Sequence, residues 1–390
     1  MIAQSTSLLV TLSCAELTLA DFRNHADTIL TLDERPVCLF GPNGAGKTNL
    51  LEALTMLAPG RGLRGASLGE IARGGEEGAK LRARAWSVAA RMRVGDDEAR
   101  IGTGAERTPE GGLKRVTRLD GASASAADIA RLVRMLWVTP AMDRLFAGPP
   151  GDRRRFLDRL VIGRAAEHGA AAAAYERATR ERQRLIAEPR YDEAWVASLE
   201  REMAAHGAAI AAARVETIAI LEAAIARRPE GAFPKAVIAL EGEVEAGFAF
   251  GRASLDIEDD FIAELKRNRS RDAAAGRATF GPQRSDLKVR HAPKDMPAEL
   301  CSTGEQKALL LGLILAQAHA LAEEPGAGPA LILLDEAAAH LDADRRAALF
   351  DELLALPGQS WLTGTDQSLF EAFGDRAQVL EVRDGHARAV

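Results

Sequence analysis

Hydrophobic positions along the chain fall into three patterns, alternating, continuous and heptad-like, and each predicts a different element. Leu8-Leu9-Val10-Thr11-Leu12 and Ile29-Leu30-Thr31-Leu32 read as strands separated by turn residues. Val37-Cys38-Leu39-Phe40 is short and wholly apolar, the pattern of a strand covered on both faces. A helix is expected from Thr48 to about Ala58, stopped by Pro59-Gly60. Residues 80–120 read as further strands and turns, with Asp120-Gly121 as a hairpin turn.

The pattern changes after Gly121. From Asp152 to Arg228 the chain is rich in Ala, Arg and Glu, and Pro189 is its main breaker, which predicts two long helices joined at Glu188-Pro189-Arg190. Leu199, Met203, His206, Ile210, Ala213, Thr217, Ile220 and Ala224 fall at alternating spacings of four and three, a stripe suited to a short antiparallel coiled coil. His206 on that stripe reads as a packed seam residue, since no second ligand lies near it in sequence. Phe233–Glu245 reads as a strand pair and Asp256–Asn268 as a helix. From Phe280 the chain returns to sheet-and-helix alternation, with strands at Leu331–Leu334, Ser360–Thr363 and Gln378–Val382. The expected architecture is an α/β head built from both chain ends (1–120 plus 280–390) with an inserted, mainly helical coiled-coil arm (121–279).

Charge adds a constraint. The 390 residues carry a net charge of −6, so nucleic-acid contact would have to come from local patches. Two exist: ten arginines against five acids over 153–190, and eight Lys/Arg against three acids over 263–290. Charge alone reads such runs as solvated helix faces. Cys14, Cys38 and Cys301 are scattered, which argues against a disulfide framework or a zinc knuckle. With neither a signal segment nor a run long enough to span a bilayer, a soluble cytoplasmic protein without membrane attachment is expected.

The chemistry begins at Gly41-Pro42-Asn43-Gly44-Ala45-Gly46-Lys47-Thr48, which matches G-x-x-x-x-G-K-[ST] between a buried strand and a helix. Glycines let the backbone wrap so that its N–H groups face a phosphate, and the helix N-terminus adds a favourable dipole. Lys47 is expected to bridge the β- and γ-phosphates of ATP, and Thr48 to place its hydroxyl on Mg²⁺. Asp335-Glu336 ends the apolar run 331–334, where open α/β sheets place ligands. Paired with the loop, Asp335 is expected to support Mg²⁺ and Glu336 to orient and deprotonate water, with Lys47 and Glu336 as the catalytic pair.

Cys301-Ser302-Thr303-Gly304-Glu305-Gln306-Lys307 is locally a capping box, Ser302 with Glu305, opening an apolar helix. Taken alone it is only that. The order of motifs, loop early, Ser-x-Gly-Glu-Gln late and acidic strand end about thirty residues on, resembles the ABC/SMC-type P-loop ATPases. That resemblance implies that Ser302, Gly304 and Gln306 cap the γ-phosphate held by a second copy, so ATP is sandwiched in a homodimer. His340-Leu341-Asp342 then matches the D-loop position, and Thr363-Gly364-Thr365 the switch, with Asp342 and Thr365 as nucleotide contacts.

The resemblance narrows to the RecF family on Phe22-Arg23-Asn24, Trp137-Val138-Thr139-Pro140, the segment Gly148–Asp158 and Phe280–Leu287, which lie outside the generic motifs and run in the family's order. Asn24 joins the nucleotide contacts by that resemblance. The family implies weak Mg²⁺-dependent ATP hydrolysis, binding of single-stranded and junction or duplex DNA, and cooperation with RecR and RecO in gap repair, replication restart and the SOS response. Two departures stand out from ABC transporters: no glutamine lies between Gln4 and Gln183, and the switch carries threonines. Both disfavour a transport subunit. Another SMC-like DNA-associated ATPase is the alternative reading.

Overall fold

The computed structural model describes residues 10–81, 84–324, 328–339 and 341–390. Leu8 and Leu9 of the first predicted strand, and His340 of the D-loop match, lie outside the described residues. In chain order the strands and helices are β1 (Leu12–Phe22), β2 (His25–Thr31), β3 (Val37–Phe40), α1 (Lys47–Met56), α2 (Leu68–Ile71), α3 (Gly75–Leu81), β4 (Arg84–Val94), β5 (Asp97–Arg107), β6 (Leu113–Leu119), β7 (Ala122–Ser123), α4 (Ala126–Leu132) and β8 (Arg134–Val138). Then come α5 (Pro150–Arg164), α6 (His168–Ile186), α7 (Glu193–Arg227), β9 (Ala236–Glu241), α8 (Glu243–Ala249), α9 (Ser254–Arg267), α10 (Arg269–Ala275), β10 (Asp286–His291) and β11 (Met296–Pro297). The chain ends with α11 (Thr303–Glu323), β12 (Ala330–Leu334), α12 (Ala343–Ala355), β13 (Ser360–Gly364), β14 (Gln378–Arg383) and β15 (His386–Ala389).

Two compact units result. The first holds the described residues up to Asp143, Glu230–Phe233 and Leu310–Val390; the second holds Arg144–Pro229 and Pro234–Leu309. These bounds differ from the expected 121–279 arm at both ends. Strand β8 pairs in parallel with β12, which draws 134–138 into the sheet of the first unit. Strand β10 pairs with β9, which draws 286–291 into the second.

In the first unit, five parallel strands run in the order β14-β3-β13-β12-β8, with β15 antiparallel at the β14 edge. An antiparallel sheet, β2-β1-β4-β5-β6-β7, forms a second layer. Helix α1 packs against β1 and β4 as well as β13, which explains why nearly all its residues are buried rather than one stripe. Leu50, Leu51 and Leu54 join Leu17, Val88, Leu39, Leu333 and Trp361 in one core. Asp120 and Gly121 both take positive φ in the β6–β7 turn, as the twist of a two-residue hairpin requires.

In the second unit α6 and α7 form the predicted helical hairpin, but α7 is covered by α5, α8, α9 and β9 as well. Five of the eight stripe residues, Leu199, Met203, Ile210, Thr217 and Ala224, are buried, and the buried face widens beyond them to Val196, Gly207, Arg214, Ile218, Leu221 and Ile225. His206, Ala213 and Ile220, placed on the seam by heptad spacing, are only half-buried. The single helix expected before Pro189 is broken at Ala165 into α5 and α6. The expected strand pair over 233–245 is instead β9 followed by helix α8, because β9 finds its partner far along the chain in β10.

Candidate functional site

The glycine-rich loop leaves β3 at Gly41, where φ is 149° and an added Cβ would lie 2.1 Å from the Val382 carbonyl oxygen of β14. Only glycine allows that approach. Gly46, with φ of 115°, closes the loop as the residue before α1. The Lys47 ammonium donates to the Gly41 carbonyl at 2.6 Å and the Pro42 carbonyl at 3.0 Å, so it curls back across the loop. Burial lowers its pKa, opposed by the nearby Glu336 and Asp335 carboxylates.

Asp335 follows β12 directly. The parallel register pairs Leu334 with Leu362, so the next residues, Asp335 and Thr363, are neighbours at the C-terminal ends of β12 and β13. The Thr363 hydroxyl donates to Asp335 Oδ1 at 2.8 Å and accepts the Glu336 N–H at 2.9 Å. The Thr48 hydroxyl donates to the same Asp335 oxygen at 2.8 Å. Loop, acidic pair and switch strand therefore meet at one carboxylate, with Glu336 held at φ of 51°. Asn43, Gly44, Gly46, Lys47, Thr48, Asn49, Arg64 and Glu336 line a cleft there.

A second layer braces the loop. The Asn24 amide donates to the Ala45 carbonyl at 3.0 Å and its oxygen accepts from Asn49 at 2.7 Å. His25 Nε2 lies 3.2 Å from the Gly46 carbonyl and Nδ1 lies 3.1 Å from the Thr28 hydroxyl. The carbonyl can only accept, so the proton belongs on Nε2, while the Thr28 hydroxyl beside Nδ1 donates to the Gly385 carbonyl at 3.2 Å. Burial lowers the His25 pKa and favours this neutral ring. Glu52, fully buried, receives both Arg23, at 2.7 and 2.8 Å, and Arg64, at 2.8 Å. Arg64 also donates to Asn49 Oδ1 at 2.8 Å, which ties the edge of the cleft to α1.

Of the residues expected at the site, Asn24, Gly41 to Thr48, Asp335 and Glu336 gather in the first unit. Thr365 lies exposed beyond β13, and the hydroxyl that reaches Asp335 is that of Thr363. Asp342 caps α12, accepting the Arg345 N–H at 2.8 Å. Ser302, Gly304 and Gln306 belong to the second unit. Ser302 and Glu305 form the capping box: the Ser302 N–H reaches the Glu305 carboxylate at 2.9 Å. Ser302 and Gly304 are exposed, whereas Gln306 is buried with its amide on the Cys301 carbonyl at 2.9 Å. His25, Asn49 and Arg64 carry no sequence signal, and Thr363, matched to the switch together with Thr365, is the one of the two that reaches Asp335.

The described residues contain no group of three or more His, Cys, Asp or Glu suited to a metal, and no helix long and apolar enough to cross a membrane.

Known proteins carry the same frame. The family model "RecF/RecN/SMC N terminal domain" matches residues 13–386. The DNA replication and repair protein RecF of Rhizobium meliloti (strain 1021) is 49% identical over 372 residues, covering 95% of this chain and 96% of the relative. Its counterpart in Brucella suis biovar 1 (strain 1330) is 48% identical over 379 residues, covering 97% and 96%. Among solved structures, the recombination mediator protein RecF-ATPrS in the RecFOR pathway aligns with a TM-score of 0.82 at 21% identity, covering 97% of this chain and 98% of that one. An Smc head domain from Pyrococcus furiosus, with an extended coiled coil and bound to the C-terminal domain of ScpA, aligns at 0.51 and 16% identity, covering 97% and 96%. The fold is thus that of the ABC/SMC-type ATPase heads, and with almost half its residues shared along nearly the whole length, the chain belongs to the RecF family.

Proposed function

We propose that this chain is an ATP-dependent DNA-binding protein of recombination and repair, which dimerises as it takes up ATP and hydrolyses it slowly. The observation that supports this most is the meeting of Thr48, Thr363 and Asp335 at one oxygen, beside Lys47 and the loop. In this reading the loop N–H groups from Asn43 to Thr48 receive the β-phosphate at the N-terminus of α1, and Lys47 bridges the β- and γ-phosphates. Asn24 keeps the loop in shape through Ala45.

The Thr48 hydroxyl and Asp335 carboxylate, 2.8 Å apart, are the hard oxygen donors that Mg²⁺ takes. Held there, Mg²⁺ would offset the negative charge of the phosphates. Thr363 orients Asp335, and Glu336 positions the attacking water and accepts its proton. Thr365, exposed past the strand, is the candidate sensor of the γ-phosphate.

Ser302 and Gly304 would come from a second copy. An added Cβ at Gly304 meets nothing within 4 Å, so packing inside the protomer gives no reason for glycine in a helix. Close approach of a nucleotide on another protomer supplies one. Gln306, spent on Cys301, supports the segment from behind, and Asp342, the last residue of the D-loop match, orders the start of α12. The recombination mediator named with the RecFOR pathway supports RecO and RecR as partners, and DNA at single/double-strand junctions or gaps is the target in the same reading. Roles in replication restart and the SOS response, and a cytoplasmic location, belong to the same reading.

Titration of a fluorescent ATP analogue with Mg²⁺ provides the test. Wild-type protein should bind it, and Lys47→Ala should bind at least about tenfold more weakly, one lost charge-assisted contact being worth that much. Equal affinity in the two proteins would remove the loop from the site.

A further inference from the structure

The back of the glycine-rich loop is gripped by its carbonyls. The Ala45 carbonyl accepts the Asn24 amide and the Gly385 N–H, each at 3.0 Å. The Gly46 carbonyl accepts the Leu50 N–H of α1 at 3.1 Å and faces His25 Nε2 at 3.2 Å. In a trans peptide the carbonyl and the following N–H point opposite ways, so this grip turns the Gly46 and Lys47 N–H groups to the face a phosphate would take. The packing behind the loop is close. A Cβ on Gly46 would lie 2.8 Å from the Asn24 amide atoms and from His25 Nε2.

One part of the grip is short of a hydrogen. His25 and Thr28, both buried on β2, join the loop to the β14–β15 hairpin through three links in a row. Nε2 meets the Gly46 carbonyl, Nδ1 meets the Thr28 hydroxyl at 3.1 Å, and that hydroxyl meets the Gly385 carbonyl at 3.2 Å. Each link needs one hydrogen. A neutral imidazole and a hydroxyl bring two between them, and both ends of the row are carbonyls that only accept. With Nε2 and the hydroxyl donating outward, the Nδ1 lone pair faces the Thr28 oxygen with no hydrogen between them. A second ring proton, on Nδ1, completes the row.

The free chain holds the ring neutral at neutral pH. Burial is the largest influence and lowers the His25 pKa from 6.5, the Gly46 and Gly385 carbonyls oppose it, and the charge of His386 on β15 lowers it further. The other charged groups on the elements around the ring are Arg23, Asp27, Lys47 and Asp384. Arg23 is held by Glu52 and Lys47 by the loop carbonyls, while Asp27 and Asp384 are exposed and do not bond the ring.

We infer that His25 is a positioning residue that takes up a proton when a triphosphate occupies the loop, the imidazolium then tying Gly46 to Gly385 through Thr28. The negative charge of the phosphates, across the Gly46–Lys47 peptide, favours a positive ring behind it. The imidazolium in return polarises that peptide and strengthens the Lys47 N–H as a donor. Nucleotide and proton each raise the affinity for the other. The inference rests on the reading of the loop as a nucleotide site and adds a pH response to it.

Titration of the fluorescent ATP analogue with Mg²⁺ tests this on full-length wild-type, His25→Gln and His386→Gln proteins. Glutamine can still donate to the Gly46 carbonyl but does not titrate. Ionisation of the analogue is common to all three proteins, so the ratio of wild-type to His25→Gln affinity isolates the ring. That ratio should rise about fivefold from about pH 8 to about pH 5.5, a pKa shift of one unit setting a ceiling of about tenfold. His386→Gln should respond as wild type does. In NMR of the ¹³C-histidine-labelled wild-type protein, the His25 ring signal, assigned through the backbone, should titrate at higher pH with the analogue than without it. A midpoint that stays in place on binding would overturn the inference, as would a flat ratio, and the nucleotide reading would stand. A response lost in His386→Gln and kept in His25→Gln would assign the proton to the exposed ring and overturn it as well. A wild-type protein that binds no analogue at any pH would overturn both.

Discussion

Thr363 is the residue on which the candidate site is hinged. Its one hydroxyl serves the Asp335 carboxylate and the Glu336 N–H together, at 2.8 and 2.9 Å. Removing it by Thr363→Ala leaves Asp335 short of one donor and the Glu336 amide without its acceptor. The expected result is a fall in ATP hydrolysis of about tenfold, with nucleotide affinity changed far less, because a hydrogen bond to a charged group contributes about 1.5–3 kcal/mol. Glu336 itself sits at φ of 51°, a conformation that costs a non-glycine residue about 1 kcal/mol or more. Such strain is retained where it aims a side chain, and here it turns the carboxylate at the end of β12. Glu336→Gln keeps that backbone and removes only the carboxylate proposed as the base. It should bind ATP as wild type does and turn it over at least about a hundredfold more slowly, the usual range for loss of a general base. Steady-state phosphate release checks both variants, and wild-type turnover in Glu336→Gln would transfer the role of base to another group.

At the scale of elements, the second unit joins a buried ionic node to the seam of α6 and α7. Arg214 of α7 reaches Asp158 of α5 at 2.8 and 2.9 Å, Glu245 of α8 at 3.1 Å and the Pro282 carbonyl at 2.7 Å. His168 of α6 joins through Asp158 at 2.9 Å. Burial would raise the Asp158 pKa, but the hydrogen bonds from His168 and Arg214 outweigh it and bring the value from 3.8 down to about 2. A depressed carboxylate pKa means stability that is present above 3.8 and lost as pH falls through about 2. Asp158→Asn should therefore cost about 2 kcal/mol at neutral pH by urea unfolding. The gap between variant and wild type should close as pH drops from about 4 toward 2. A gap independent of pH would mean that packing, not charge, carries the effect.

This node also marks where sequence reading stops. The loop, β3, β12, β13 and β14 were legible because continuous apolar runs and a phosphate motif report on local structure alone. Arg214 was not, since a charged residue on a buried helix face becomes sensible only when Asp158 and Glu245 arrive from distant elements. The same holds for β9, whose partner β10 lies about fifty residues on. The switch motif spans both Thr363 and Thr365, and only the parallel register places one of them, Thr363, beside Asp335.

For the whole molecule, the central claim is that one copy holds half of a nucleotide site. Loop, acidic pair and Thr363 lie in the first unit, and the exposed Ser302 and Gly304 open α11 in the second, where a capping box presents them to solvent. Ser302→Arg places a long cation at that surface without touching the loop, so it should leave nucleotide affinity intact. Sedimentation velocity of the wild-type and Ser302→Arg proteins, each with a non-hydrolysable ATP analogue and Mg²⁺, is the most direct test. The wild-type chain is expected to sediment as a dimer only when the analogue is present, and Ser302→Arg to bind the analogue yet stay monomeric. A wild-type chain that remains a monomer at saturating analogue, or a Ser302→Arg chain that dimerises normally, would contradict the central claim.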